Sequence, residues 1–480
     1  MRKIKRVVAG ICAFSAVMGF SACDNGDSDG GTAQSGGTSA ATTTATVGET
    51  LASEDEEALG GAESLLRDAE NEKKVIKFLS NWDINPSAGE SIPAALSLFQ
   101  KKYDGKVEYI PTTWEARYSD LSTNILGGTG VDFFSIEEDA LPNGALNGMF
   151  QPVDQYIDID SALWQNVKAA MEVYNFAGKH YALVTDVAAN NIVFYNKNTI
   201  ESNGLDDPWE LFEKGEWNWD TFSNMLQEFV DADDEHVGLD GWWSELAIYR
   251  SGGVPFIQSI DGELVVNTNS PEIEKAQNFM YDLYQKGLVM DKSLYEWNAQ
   301  EQFMGEGREL FMISGPWYVM NPPDSWASKI PPEHLGIVPV PNAADAEHPA
   351  MDAKANGFCI VKGANNPEGV ALYVECCLAT ADDEAARAIY DKQCREEYKW
   401  PEDVIEHRYI INDLAAQYPV IDIAGGISTD VESLTTSNQN KSVGLNASMH
   451  GVEWGQTREE IGATVELLVS EVNDQLKSLS

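Results

Sequence analysis

From Val75 to Ile136 the chain alternates short β-rich runs with amphipathic stretches, and few folds accept that rhythm. Val75–Leu79 (VIKFL), Val107–Ile110 and Val131–Ile136 (VDFFSI) concentrate β-branched and aromatic residues and read as strands. Between them, Ser91–Tyr103 sets Ile92, Ala95, Leu96 and Phe99 on one face with Pro93 near its start, and Glu115–Leu126 reads as a second helix. Strands separated by helices line up in parallel with the helices covering their faces, so the expected class is α/β with mostly parallel sheets. In such open sheets ligands bind beyond the carboxyl ends of the strands. Asn81-Trp82-Asp83 and Glu137-Glu138-Asp139 occupy two such ends.

At 480 residues the chain exceeds one ordinary domain. Gly178–Leu226 reads as a joint between two lobes. Ala189–Tyr195 (ANNIVFY) has strand composition and ends in the turn residues Asn196-Lys197-Asn198, and Gly204 closes a short helix. Trp217–Asp220 (WNWD) supplies an N-cap for a helix carrying Phe222, Met225, Leu226, Phe229 and Val230 at helical spacing. Further helices are expected at Pro271–Leu288, capped by Ser270, and at Glu296–Gly305. A strand over Gly307–Ile313 then runs into Ser314-Gly315-Pro316-Trp317, and a Gly-Pro strand end should turn the chain sharply and throw Trp317 out of the sheet. Asn356–Val361 reads as a return strand, Asn366-Pro367 opens a helix, and a long last helix carries Ile461, Val465, Leu468 and Val472.

A formal net charge of −45 repels phosphate backbones and argues against any nucleic-acid partner. Residues 1–23 place Arg2, Lys3, Lys5 and Arg6 before an apolar run and end in small residues, the pattern of an export signal; its last four residues, Phe20-Ser21-Ala22-Cys23, resemble a bacterial lipobox, which implies a lipid on Cys23. Residues 24–72 are rich in Gly, Ser, Thr and acids, and are expected to form a flexible tether with a reach of roughly 40 Å, with a short helix left open at Leu59–Leu66. Export permits disulfides, so a bridge from Cys376 or Cys377 to Cys394 and free buried thiols are both open.

The series Gly178-Lys179-x-Tyr181, Tyr195-Asn196-Lys197, Gly204-Leu205 and Pro208-Trp209 resembles the extracellular solute-binding proteins that feed carbohydrate ABC transporters. Lys74–Ile110, Gly127–Pro152, Phe303–Trp317, Gly336–Pro341 and Asn356–Leu378 resemble successive blocks of that family in the same order. The resemblance implies a two-lobed periplasmic-binding-protein-like fold of type II, each lobe a mostly parallel sheet flanked by helices, with a hinge between them. It implies one lobe from 73–186 plus 356–400, a second from 187–355 plus 401–480, and three crossing segments, near Val184–Ala189, Ala355–Phe358 and Glu397–Asp413. The implied function is capture of a sugar or oligosaccharide and delivery to an ABC permease by a monomer anchored through Cys23 to the outer face of the cytoplasmic membrane.

Enzyme signatures are lacking. The six histidines fall in no metal-ligand spacing, and there is no HExxH, no nucleophile elbow and no phosphate-cradling loop. Asp231–Asp240 lacks the sixth-position glycine and the twelfth-position glutamate of a calcium loop. No cofactor or metal is expected. Aromatic side chains at strand ends can stack on the apolar face of a pyranose while carboxylates take its hydroxyls. By resemblance to maltose-type binding proteins, Trp242, Trp317 and Trp454 fall where sugars stack, and Asp83, Asp139 and Asp240 near the polar contacts; Glu138, Trp82 and Trp114 complete the candidate set. Two rival readings differ in kind: a binder of polyamines or other cations, suited to the acidity, and a carbohydrate-active enzyme using a pair drawn from Glu137, Glu138 and Asp139.

Overall fold

A computed structural model describes residues 51–87, 90–296, 298–320, 330–436 and 451–479. The signal to Cys23 and the first part of the expected tether lie outside these residues. The remainder of the tether does not form a coil. Helices α1 (Ser53–Ala58) and α2 (Gly60–Glu63) lie on the first lobe, with Leu59, Ala62 and Leu66 buried. Arg67 pairs with Glu368 (2.9 Å) and Glu375 (3.0 Å), and the Tyr103 hydroxyl donates to its carbonyl (2.8 Å). The expectation of a tether reaching residue 72 is therefore corrected: apolar residues at i, i+3 and i+7 give the segment a face to bury, which its many acids masked.

Lobe 1 begins with β1 (Val75–Ser80), α3 (Ala94–Tyr103), β2 (Lys106–Pro111), α4 (Arg117–Gly127) and β3 (Phe133–Ser135). As the alternating pattern requires, β1 pairs in parallel with both β2 and β3. Helix α3 starts only after Pro93, whose missing N–H suits a helix entry. The chain returns as β4 (Leu183–Ala189), passes Asn190-Asn191, and enters lobe 2 as β5 (Ile192–Asn196). The strand expected at Ala189–Tyr195 is thus β5, beginning three residues later at Ile192, and the crossing follows β4 instead of occupying it.

Lobe 2 comprises α5 (Trp219–Ala232), β6 (Val237–Gly241), α6 (Ser244–Arg250), α7 (Pro271–Gln285), β7 (Glu309–Ser314) and β8 (Leu335–Val338). The caps anticipated at the sequence level form: the Asn218 side chain accepts from Asp220 and Thr221 N–H, and Ser270 from Glu272 and Ile273. Its four-stranded sheet runs β8-β5-β7-β6. The chain recrosses before β9 (Met351–Ile360), which lies wholly in the lobe 1 sheet, so the boundary expected at residue 355 moves back to the start of that strand. Helices α8 (Pro367–Ala381) and α9 (Glu384–Glu396) complete lobe 1. Helix α10 (Glu402–Gln417), expected in lobe 2, packs against strands of both sheets and leads to β10 (Pro419–Val420), the edge of the six-stranded lobe 1 sheet. The third crossing therefore follows β10, and α11 (Thr429–Thr435) and α12 (Trp454–Leu476) close on lobe 2. Cys359, Cys376, Cys377 and Cys394 are free thiols, the second of the two states left open. Among the described residues no helix is long and apolar enough to cross a membrane.

Candidate ligand-binding site

Both sheets direct the carboxyl ends of their parallel strands at the crossing. In lobe 1, β3 and β4 each pair antiparallel with β9, so they run together, and β4 leaves the sheet at the crossing. In lobe 2, Ile192, the first residue of β5, pairs with Ser314 at the end of β7, and Ile313 pairs with Gly241 at the end of β6. Loops beyond these strand ends are placed where open α/β sheets hold ligands.

Gly241 makes the lobe 2 half possible. Its φ is 145°, and a β-carbon there would lie 2.0 Å from the Ile313 carbonyl oxygen, so only glycine lets β6 end beside β7. The next two residues, Trp242 and Trp243, are half-buried with ring centroids 6.5 Å apart, and the Trp242 indole N–H donates to Glu301 (2.9 Å). Trp243 stands edge-on to Trp317 at 6.1 Å and 86°. Trp317 is half-buried and sits in a 3-10 turn over Pro316–Val319. The expected reason for its exit needs correction. Gly315 has φ −67° and ψ 154°, open to any residue; what glycine supplies is room, since a β-carbon there would meet the Trp317 indole nitrogen at 2.2 Å. Trp243 was missed because adjacent side chains on an extended strand point to opposite faces, an alternation that ends once Gly241 turns the chain.

Asp240 and Trp454, both expected in the site, are closed off. Asp240 is fully buried, its Oδ2 accepts from the Gln300 N–H (2.7 Å), and Lys292 lies 3.9 Å away. Burial pushes its carboxyl up to about 6 against the pull of Lys292. Glu309 is enclosed with it and is raised well above the carboxylate range by burial, with the charges of Asp240 and Glu301 adding. Trp454 opens α12 with none of its surface exposed, its ring 5.7 Å from Phe256. Packing, not access, is what this tryptophan provides here.

On the lobe 1 side, Trp82 is half-buried edge-on to Phe78 (5.1 Å), and Asp83 spends its Oδ1 on the Asn85 backbone (2.9 Å) and side chain (2.8 Å), a local turn. Arg117 organises the loops at the ends of β2 and β3. Its guanidinium lies 3.6 Å from the Trp114 ring centroid, donates to the Trp114 carbonyl, and pairs with Asp139, which also accepts from the Tyr118 hydroxyl (2.6 Å). Trp114 keeps 48% of its surface exposed. Glu137 is pushed up to about 7 by burial, opposed by Lys354 and aided by Asp139. Glu138 does not join this group. It pairs with Arg250 of lobe 2 at 3.2 Å and accepts from Asn190 at 2.7 Å; burial works against its charge, but Arg250 outweighs this and holds the carboxyl low.

Asp422, near the third crossing, gives a pH test. Burial pushes it from an ordinary 3.8 up to about 7, although the N–H groups of Ala424, Phe256 and Ile257 hold it down. Because the folded value exceeds the unfolded one, its stability contribution is complete below pH 3.8 and is lost as pH climbs through 7. Asp422→Asn is expected to flatten the fall of melting temperature between about pH 4 and 7, an effect on the order of 2–4 kcal/mol. Equal slopes for the two proteins in thermal melts refute this. Among the described residues no group of three or more His, Cys, Asp or Glu side chains could hold a metal ion.

Residues 83–384 match the family described as bacterial extracellular solute-binding protein. The chain is 24% identical over 247 residues to the galactooligosaccharide-binding protein of Bacillus subtilis, covering 50% of this chain and 55% of that one. It is 23% identical over 226 residues to the maltotriose-binding protein of Pyrococcus abyssi, covering 46% and 44%. The chain thus spans about half the length of the curated relatives it matches. In fold it is similar to the cyclic α-maltosyl-1,6-maltose binding protein of Arthrobacter globiformis, with a TM-score of 0.59 at 14% identity over 83% of this chain and 99% of that one.

Proposed function

The chain belongs to the bacterial extracellular solute-binding proteins, and from that premise we propose that it captures a sugar or oligosaccharide between its lobes and passes it to an ABC permease without chemical change. The observation that carries this reading is the tryptophan cluster of Trp242, Trp243 and Trp317 at the strand ends of lobe 2. Large, half-buried indoles are surfaces on which a pyranose loses water from its CH face, while Asp139, fixed by Arg117 and Tyr118, and the nearby Glu137 supply acceptors for hydroxyls. Trp114 adds a platform on the other lobe. Arg117 already covers one face of its indole with positive charge, which disfavours a cation on the opposite face and favours a neutral ligand over a polyamine. The relatives named for oligosaccharides point the same way.

Calorimetry against a glycan panel tests the reading. Trp317→Ala is expected to weaken the best glycan about ten- to a hundredfold, roughly 1–3 kcal/mol, with little change in melting temperature. Binding of spermidine with no glycan, or turnover of an oligosaccharide on prolonged incubation, overturns the proposal. Export and lipidation at Cys23 complete it, and radiolabelled palmitate incorporation that survives Cys23→Ser contradicts that part.

A further inference from the structure

Glu138 belongs to the candidate ligand set, yet its carboxylate is engaged at the place where the chain passes between lobes. Arg250 ends α6 in lobe 2, is 2% exposed, and reaches two carboxylates: Glu138 after β3 of lobe 1 and Asp352 near the start of β9. The distances are 3.2 Å to Glu138 Oε1, 3.4 Å to Glu138 Oε2 and 3.0 Å to Asp352 Oδ1. The first crossing is tied to the same two carboxylates, since Asn190 donates to Glu138 Oε1 (2.7 Å) and Asn191 to Asp352 Oδ2 (2.6 Å). The third crossing touches it as well. A β-carbon on Gly426 would lie 1.9 Å from the Leu141 carbonyl oxygen and one on Gly425 3.3 Å from that of Glu138, so these glycines let the turn lie directly on the Glu138–Leu141 backbone. That turn is held to lobe 2 by Asp422, which accepts from the Phe256 and Ile257 N–H groups.

We propose that the Glu138–Arg250–Asp352 triad is a latch that sets the angle between the ligand-free lobes, and that Glu138 is a positioning residue for capture instead of a ligand contact. The physical case rests on unequal burial. Asp352 is wholly enclosed, so its pairing with Arg250 is permanent and fixes the guanidinium to the hinge strand. Both carboxylates belong to lobe 1, but Glu138 keeps 41% of its side chain exposed where Asp352 keeps none, so the Glu138 bond to Arg250 is the member of the triad that can break when the lobes part. An ion pair half open to water is weakened by salt, whereas the enclosed one is not.

Small-angle scattering of the full chain, with and without a glycan, reads the lobe angle directly. Glu138→Gln keeps the shape and an acceptor for Asn190 but removes the charge. Its ligand-free radius of gyration is expected to exceed that of wild type, while the glycan-saturated forms coincide. Raising NaCl to about 0.5 M is expected to expand wild type and leave the variant unchanged. Affinity should fall about three- to tenfold, because a smaller share of molecules starts near the closed angle. Arg250→Lys, which keeps charge but loses the two-pronged reach, should expand the ligand-free protein too. Unchanged ligand-free dimensions overturn the latch, and if affinity falls at the same time Glu138 is a ligand contact after all. The affinity arm rests on the sugar-binding reading, but the ligand-free and salt arms do not, so failure to find any glycan leaves the latch decidable.

Discussion

Replacing Trp454 with alanine is expected to lower folding stability by about 3–5 kcal/mol and to leave the glycan affinity of the folded fraction within about threefold of wild type. The residue has no exposed surface, stands 5.7 Å from Phe256, and opens the helix that packs Ile461, Val465 and Val469 into lobe 2. Its indole N–H is buried and has no hydrogen-bond partner among the described residues. Trp454→Phe therefore removes an unpaired polar group along with some volume, and should cost less than about 1.5 kcal/mol. Chemical denaturation and calorimetry on both variants separate packing from recognition. An alanine variant with normal stability and a tenfold loss of glycan affinity means that Trp454 reaches the ligand as the family resemblance implied, and that the packed arrangement is not the one that binds.

The two-lobed fold was legible because its signals are local and redundant. The strand runs at Val75, Val107 and Val131 and the caps Asn218 and Ser270 each specify an element without reference to the rest of the chain, and parallel pairing arises from the helices between strands. The crossings were harder, because passing from one sheet to another leaves no mark on composition. Asn190-Asn191 looked like strand interior, and β9 is long enough to contain both the expected crossing and the strand after it.

The site was legible only in part, for a related reason. Sequence places Trp317 and Asp139 at strand ends but does not say which of several adjacent carboxylates an arginine from the other lobe will take. Glu138 and Asp139 are neighbours with opposite fates, one bound to Arg250 across the crossing and the other to Arg117 within its own lobe. Neither arginine carries a motif. Asp240 failed as a candidate because its burial beside Lys292 and Glu309 depends on three segments meeting.

Starting the chain at residue 73 instead of 51 is expected to lower the melting temperature of lobe 1 on the order of 5–10 °C, which corresponds to a loss of about 2–4 kcal/mol. Two effects add. Leu59, Ala62 and Leu66 cover apolar surface on α8 and α9, and losing them exposes both sides of that contact. Arg67 is the cation that partners Glu375, whose side chain is only 5% exposed, so truncation also leaves a carboxylate on α8 without its partner. The entropy of ordering the segment opposes both effects, which is why the net change is smaller than the buried area alone suggests. Glu375→Gln in the short chain should restore part of the loss by removing the unpaired charge. Differential scanning calorimetry of the three proteins decides the matter. If the chain beginning at residue 73 melts with the one beginning at 51, the segment adheres to lobe 1 without supporting it, and its role reverts to that of a tether.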